Sequence, residues 1–285
     1  MDKFYIIANS EKEECAAFRS EVAEYLKEHG KECGYQEDHA AARAEGYRFT
    51  HPDLVPEDVE GVIVLGGDGT VIQAARDLAR RDVPFLGVNM GTLGYLTEVE
   101  AKEYKAALDS LMNGEYHLEE RMMLDGLVTG DGQEKYRSKA LNDIVISRSG
   151  VLRIINFQIF VNGRYLKSYN ADGMIISTPT GSTGYNLSAG GPIVEPGAHM
   201  LLITPICAHS LNTRSIVLSG DDVIEVVIGP GRKMEEERAV ATFDGDTAVE
   251  LVTGERIVIK KSQRNTKLIK LNDRSFLEVL SKKLK

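Results

Sequence analysis

Short apolar runs alternate with stretches of helical periodicity over the first ~120 residues. This alternation predicts a parallel sheet whose faces are covered by helices. Residues 31–58 have mixed charge and two prolines, which indicates a loop or a poorly ordered segment. The predicted strands are KFYIIA, GVIVL and VPFLGVN, and the predicted helices cover 15–26, 71–81 and 101–113, with Gly30 and Gly114 past the ends of the first and the last.

The period of the hydrophobic pattern changes to two after about Arg121. In RIINFQIFVNG the apolar residues alternate with polar ones, and Asn162-Gly163 is a strong hairpin motif. We therefore predict an α/β N-terminal domain, with a parallel sheet and helices, over 1–120, and a mostly antiparallel β C-terminal domain over 121–264. The last segment, SFLEVLSKKLK, returns to a helical pattern, and the C-terminal tail of about 265–285 is expected to pack back on the first domain. Further predicted strands are LNDIVISR, GMIIST, DVIEVVIG, AVATFDG and ERIVIKK.

Composition and net charge indicate which classes of protein the chain can belong to. Hydrophobic residues make up 42% and charged residues 27% of the 285, as in ordinary globular proteins. No apolar run has the length of a membrane span, the N-terminus does not resemble a signal peptide, and three widely spaced cysteines favour a reducing cytoplasm. The net charge of −9 argues against nucleic acid and membranes as partners. A phosphate ligand would have to be held by local backbone N–H groups.

The stretch LGGDGT (65–70) joins a predicted strand to a predicted helix. Gly66 and Gly67 allow a positive φ and a close approach of the backbone to a ligand, and the N-terminus of the following helix favours an anion. Asp68 within this cradle predicts a group that accepts the proton of an attacking hydroxyl during phosphoryl transfer. The alternative is that Asp68 caps the helix, although Thr70 and Gln73 also have capping-box spacing.

A second polar stretch covers residues 171–192, ADGMIISTPTGSTGYNLSAGGP. It concentrates hydroxyl side chains around Pro179 and several glycines, and it includes Tyr185. Such a loop suits ribose oxygens, phosphates and base edges, with the tyrosine available for stacking. The alternative is an elaborate turn stabilised by its own Ser and Thr side chains.

Four motifs resemble, in order and spacing, those of the NAD kinase family: GGDGT, LNDIVISR, STPTGSTGYNLSAGGP and TPICAHSLNTR (204–214). The match runs from about Val62 to Asp246. The resemblance implies transfer of a phosphoryl group to the 2′-hydroxyl of the adenosine ribose of NAD, which gives NADP. It also implies ATP or another phosphate donor, a divalent cation with Mg²⁺ as the expected ion, a two-domain fold with NAD bound by the β-rich domain, and a homo-oligomer, either a dimer or a tetramer.

The resemblance also implies roles for individual residues. Asp68 is similar to the family's proton acceptor, Asn142 and Asp143 to the pair that holds the adenine end, and Asp172 to an acidic residue near the nicotinamide. Residues 183–188 correspond to a segment that contacts NAD, and no metal-ligating side chains are predicted. The residues expected to bind NAD or ATP are Gly67, Asp68, Gly69, Asn142, Asp143, Arg153, Asp172, Thr180, Thr183, Gly184, Tyr185, Asn186, Leu187 and Ser188.

Each of these residues also has a structural interpretation. Asn142-Asp143 could form a turn at a strand edge, Asp172-Gly173 a hairpin tip, and Arg153 a solvated strand position. Three positions depart from the family pattern: Gly184 replaces a usual alanine, Asn170 a frequently basic residue, and Asp246 a common glutamine.

Other function classes remain as alternatives. A lipid or sphingoid-base kinase shares GGDGT but needs an apolar acceptor pocket, and 171–192 is polar. A non-catalytic nucleotide-binding sensor would not need Asp68. A P-loop enzyme is excluded because the P-loop lysine is missing, and a dehydrogenase is disfavoured because no G-x-G-x-x-G follows an early strand.

Overall fold

The computed structural model describes residues 1–9, 13–35, 50–91, 94–150, 154–210, 213–231, 236–272 and 274–283. The chain divides into two compact units, Met1–Glu120 with Thr266–Lys285, and Arg121–Asn265. The strands are β1 Lys3–Ala8, β2 Glu32–Tyr35, β3 Gly61–Gly66, β4 Phe85–Asn89, β5 Val99–Glu100, β6 His117–Arg121, β7 Leu124–Gly130, β8 Gln133–Ala140, β9 Asp143–Arg148, β10 Ile155–Val161, β11 Arg164–Ala171, β12 Gly173–Ser177, β13 Met200–Ile206, β14 Ile216–Ser219, β15 Ile224–Ile228, β16 Arg238–Phe243, β17 Asp246–Val252, β18 Arg256–Lys261 and β19 Thr266–Lys270. The α-helices are α1 Glu13–Glu28, α2 Asp68–Asp77, α3 Tyr104–Asn113, α4 Tyr185–Ser188 and α5 Phe276–Lys283, and short 3-10 turns cover Pro52–Leu54, Ala101–Glu103 and Thr180–Thr183.

The first unit is built on one sheet with the order β2-β1-β3-β4-β19-β6, in which β5 also pairs with β4. The pairs from β2 through β19 are parallel, as the alternation of strands and helices predicts. Apolar residues of β1, β3 and β4 share one core with Val22 and Leu26 of α1 and with Leu108 and Leu111 of α3. Gly30 and Gly114 have positive φ just past α1 and α3, which only glycine adopts without strain.

Several elements of this unit differ from the sequence prediction. Helix α2 was expected from about 71 to 81 but begins at Asp68 and ends at Asp77, so the proposed capping pair Thr70 and Gln73 lies inside it. Strand β2 falls in the segment predicted to be a loop, because four residues are too few to show a period. Strand β19 was not predicted, and it adds a parallel strand beside β4.

The second unit contains two antiparallel sheets, ordered β11-β10-β15-β18-β7-β8 and β14-β13-β12-β9-β16-β17. Inward side chains of both sheets, including Phe157 of β10 and Phe243 of β16, belong to one core. The Asn162-Gly163 hairpin is confirmed, because both residues have positive φ between β10 and β11. The predicted fold class is therefore confirmed: an α/β unit with a parallel sheet, and a mostly antiparallel β unit. None of the helices in the described part of the chain is long and apolar enough to cross a membrane.

Candidate active site

Asp68 is the first residue of α2, directly after β3. The cap position of α2 is occupied by Gly67, and the Asp68 carboxylate instead accepts two backbone hydrogen bonds from a distant loop. The N–H of Tyr95 donates to Oδ2 at 2.7 Å and the N–H of Leu96 donates to Oδ1 at 2.9 Å. The alternative that Asp68 caps the helix is therefore wrong, and the carboxylate is held in one orientation by the loop after β4.

The loop hydrogen bonds leave the carboxylate with further accepting capacity. An ionised carboxylate offers about four lone-pair sites, and the two loop N–H groups use two of them. The fit on the loop side is tight, since a Cβ at Gly94 would lie 1.8 Å from Oδ1 of Asp68. Asp68 is thus fixed on the side of the loop, with lone pairs left to accept further hydrogen bonds.

The backbone conformation of the glycines around Asp68 differs from the prediction. Neither Gly66 nor Gly67 has positive φ, so the expected left-handed turn is wrong. Gly67 is extended, with φ of −112°, and a Cβ at Gly67 or Gly69 would meet no atom of the described residues within 4 Å. The two glycines leave the backbone at the N-terminus of α2 open, where its N–H groups favour an anion.

In the second unit, Asn142 lies in a bend directly before β9, and Asp143 is the first residue of β9, an interior strand of its sheet. Their backbone is held by Asp244, whose carboxylate accepts hydrogen bonds from the N–H groups of Leu141, Asn142 and Asp143 at 2.7, 2.8 and 3.1 Å. Asp244 has a φ of +53° in the Asp-Gly turn between β16 and β17. Asp244 was not among the site residues predicted from the sequence; the Asp-Gly pair at the end of the predicted strand AVATFDG was the available clue.

Two buried polar atoms lie unsatisfied in this region. Neither Oδ1 of Asn142 nor Oγ1 of Thr180 has a hydrogen-bond partner among the described residues. Buried polar atoms normally have partners, so an unsatisfied pair at predicted ligand contacts indicates a place where a ligand completes the bonding. Asp143 is also buried, and its burial, together with the neighbouring Asp244, raises the pKa of its carboxyl to about 7.

The loop of residues 178–188 packs directly on the Asn142-Asp143 segment. The N–H of Thr178 donates to the carbonyl of Asn142 at 2.8 Å, and its Oγ1 donates to the carbonyl of Leu141 at 2.7 Å. A Cβ at Gly181 would lie 2.2 Å from the carbonyl oxygen of Asn142, so only glycine fits there. Asn142, Asp143, Thr180 and Gly184 are thereby brought into one cluster.

The side chains of this loop divide into two groups. The Asn186 amide is fully buried: it donates to the carbonyls of Ser182 and Pro192 and accepts from Thr204, so its side chain supports the loop. Tyr185 and Leu187, by contrast, are 47% and 37% exposed, and Ser188 is exposed as well. Thr183 donates weakly to the carbonyl of Thr180 at 3.4 Å. The exposed members and Thr183 are the side chains that a ligand can reach.

Asp172 joins β11 to β12, which belong to different sheets, so it is not a hairpin tip. Its Oδ1 lies 3.5 Å from Nε of Arg148, a basic residue that the sequence analysis did not single out. Arg153 lies outside the described residues. Gly67, Asp68 and Gly69 belong to the first unit, and the remaining predicted site residues to the second.

Comparison with known proteins gives the family. The description of the ATP-NAD kinase N-terminal domain matches residues 4–116, and that of the ATP-NAD kinase C-terminal domain matches 141–271. The NAD kinase of Lachnoclostridium phytofermentans is 48% identical over 285 residues, covering 99% of each chain, and that of Lachnospira eligens is 45% identical over the whole of both chains. The chain belongs to the NAD kinase family. It is therefore similar to enzymes over its full length, and the resemblance in the four motifs is confirmed.

Solved structures agree with this assignment. The yeast NADH kinase complexed with NADH superposes with a TM-score of 0.86 at 25% identity, covering 100% of this chain and 87% of that one. An NAD kinase from Archaeoglobus fulgidus in complex with ATP has a TM-score of 0.77 at 24% identity over 98% of both chains, which bears on the fold alone.

The structure shows the contacts of the three residues that depart from the NAD kinase family pattern. A Cβ at Gly184 would lie 3.3 Å from the carbonyl of Gly181 and 3.6 Å from Nδ2 of Asn142, so the usual alanine would require only a small shift. Oδ1 of Asn170 accepts a hydrogen bond from Asn156 at 3.0 Å on the neighbouring strand. Asp246 begins β17, directly after the turn that contains Asp244.

Proposed function

We propose that the protein transfers the γ-phosphoryl group of ATP to the 2′-hydroxyl of the adenosine ribose of NAD, with Asp68 as the proton acceptor. The observation that carries the proposal is the Asp68 carboxylate, held by the N–H groups of Tyr95 and Leu96 beside an open helix N-terminus. Membership of the NAD kinase family supports the same reaction. ATP as donor rests on the ATP-NAD kinase descriptions of both matched domains.

In the proposed step the ribose O–H bond breaks and a new O–P bond forms. The bond between the γ-phosphorus and the bridging oxygen breaks, ADP leaves, and the proton passes to Asp68. The loop N–H groups keep the carboxylate from rotating, and orientation matters more than basicity when the transition state is loose. The open N–H groups after Gly67 would bind phosphate oxygens.

NAD binding is assigned to the second unit. Oδ1 of Asn142 would accept, and Oγ1 of Thr180 could donate or accept, a hydrogen bond from the dinucleotide, since both atoms are buried and unsatisfied among the described residues. Asp143 and Asp172 keep their predicted roles at the adenine and nicotinamide ends. Tyr185 would contact the ligand with its exposed ring. Thr183, Gly184, Leu187 and Ser188, together with Arg153, complete the proposed binding set. Asn186, predicted from the sequence as a ligand contact, instead supports the loop, because its buried amide is hydrogen-bonded to Ser182, Pro192 and Thr204.

We propose that a divalent cation binds together with the phosphate donor, as the Mg²⁺ complex of ATP. Across the described ranges, no group of three or more His, Cys, Asp or Glu side chains is arranged to hold a metal ion. The residues thus do not form a metal cage, and no protein ligand is assigned. A homo-oligomeric state and a cytoplasmic location are further parts of the proposal, and both rest on the sequence analysis.

The acceptor can be tested with ATP labelled in the γ-phosphoryl group. We expect label to pass to NAD, with little transfer to diacylglycerol and slow release to water in the absence of an acceptor. Transfer to diacylglycerol with none to NAD would support a lipid kinase instead. NAD and ATP binding without any transfer would indicate a nucleotide-binding sensor.

A further inference from the structure

The loop that holds Asp68 is itself attached to the C-terminal part of the chain. Glu98 ends this loop, which covers residues 94–98, and its side chain is almost fully buried. Its Oε1 accepts hydrogen bonds from the N–H groups of Leu271 and Asn272 at 3.1 and 3.2 Å, and its Oε2 pairs with Nζ of Lys270. One buried carboxylate therefore joins the 94–98 loop to the end of β19 and the residues after it.

Hydrogen bonds within the loop connect this attachment to Asp68. The N–H of Glu98 donates to the carbonyl of Gly87 in β4 at 2.9 Å, and the N–H of Gly94 donates to Oγ1 of Thr97 at 3.2 Å. The two N–H groups that hold the Asp68 carboxylate come from the residues between these points. The Glu98 end of the loop is thus fixed to β4, and the Gly94–Thr97 hydrogen bond closes the turn that carries the two donors, which limits their movement relative to the carboxylate.

A second contact joins the same two segments at Tyr95. Its ring lies 5.9 Å from the ring of Phe276 in α5, and Nζ of Lys283 lies 4.7 Å from its centroid. Burial, and secondarily the charge of Asp68, raise the pKa of the Tyr95 hydroxyl. The residue whose N–H holds Asp68 is thus packed against the C-terminal helix.

We propose that Glu98 and Lys270 are positioning residues, through which the C-terminal segment, residues 270–283, fixes the orientation of Asp68. The inference rests on the proposed role of Asp68 as proton acceptor. The buried Glu98 carboxylate left without its lysine, or the partly buried Lys270 left without its carboxylate, is unfavourable and would shift the loop. Displacement of a reacting group by about 1 Å costs on the order of 100-fold in rate.

The test compares Glu98→Ala and Lys270→Met with a matched control on the same strand. Lys267 of β19 pairs with Asp82 at 2.7 Å, away from the loop, so Lys267→Met removes an ion pair without touching the 94–98 loop. We expect kcat for NADP formation to fall about 10- to 100-fold in the first two variants, with KM for NAD within about twofold. The proposed NAD contacts lie in the other unit. The control should keep wild-type kcat.

A double variant separates positioning from a general loss of structure. If Glu98 acts through Asp68, adding Glu98→Ala to Asp68→Asn should lower kcat by less than about twofold, because no oriented carboxylate remains to be lost. Equal falls in both backgrounds, or wild-type kcat in Lys270→Met, would overturn the inference. If Glu98→Ala does not fold, Glu98→Gln, which keeps an acceptor for Leu271, replaces it in the same comparison. Near-normal kcat in Asp68→Asn alone would refute the proposed function instead.

Discussion

Asp68→Asn tests both the observed role of this side chain as the acceptor of two loop hydrogen bonds and its proposed role as the proton acceptor. Asparagine keeps one oxygen that can accept from Tyr95 or Leu96, but its NH₂ group then faces the other N–H donor. Hydrogen bonds to a charged group contribute about 1.5–3 kcal/mol each and neutral ones about 0.5–1.5 kcal/mol. Because Asp68 is only half-buried, we expect a loss of about 1–3 kcal/mol in the free energy of unfolding.

The rate effect should be much larger than the stability effect. Loss of a general base lowers kcat by ~10²–10⁴, whereas 1–3 kcal/mol of stability lowers Tm by only about 2–12 °C and leaves the protein folded in an assay at 25 °C. NAD affinity should remain close to wild type. The assay measures kcat, Tm and NAD affinity on the same preparation, with Asp82→Asn as the control, since that exposed carboxylate lies in the same unit. A folded Asp68→Asn protein with kcat within about threefold of wild type would show that Asp68 is not the proton acceptor.

The remaining predictions concern the donor complex, the NAD loop and pH. Excess chelator should abolish NADP formation, and added Mg²⁺ should restore it. Full turnover in excess chelator would show that the reaction needs no divalent cation. Thr183→Val and Tyr185→Ala should each raise KM for NAD more than they lower kcat, and an unchanged KM in both would show that the 178–188 loop does not bind NAD. Asp143 has its pKa raised to about 7, so the folded state holds a proton that the unfolded state releases near pH 4. Stability should therefore fall as pH rises from about 4 to about 7, and Asp143→Asn should flatten this part of the Tm–pH curve; the same slope in both proteins would contradict the burial argument.

The parts of the fold that follow local patterns could be predicted from the sequence. Strands β3 and β4 are continuous apolar runs, and β10 alternates because one of its faces is buried. Strand β2 has four residues and half of the residues of β8 are charged, so neither shows the pattern of its neighbours. Local patterning is set by which face meets the core, and short or exposed strands carry little of it.

From the sequence, only the types of residue at the site could be predicted, and not the contacts that hold them. GGDGT shows that a carboxylate follows a strand, but the groups that hold Asp68 come from positions 27 and 28 residues later. Asp244 is more than 100 residues from the backbone that it holds. Hydrogen bonds between segments so far apart depend on the register and packing of several strands, which no short motif encodes. The partners of Asp68 and the role of Asp244 therefore emerged only from the structure.

The position of the transferred phosphate on the product distinguishes the proposed reaction from transfer to any other acceptor group. The protein is incubated with NAD, Mg²⁺ and ATP labelled in the γ-phosphoryl group. The labelled dinucleotide is then analysed by phosphorus NMR and by reduction with an NADP-specific dehydrogenase. The account predicts one product, phosphorylated on the 2′-oxygen of the adenosine ribose, formed in equal amount with ADP and fully reducible by that dehydrogenase. A phosphate on another ribose oxygen, or ADP released without a phosphorylated dinucleotide, would contradict it.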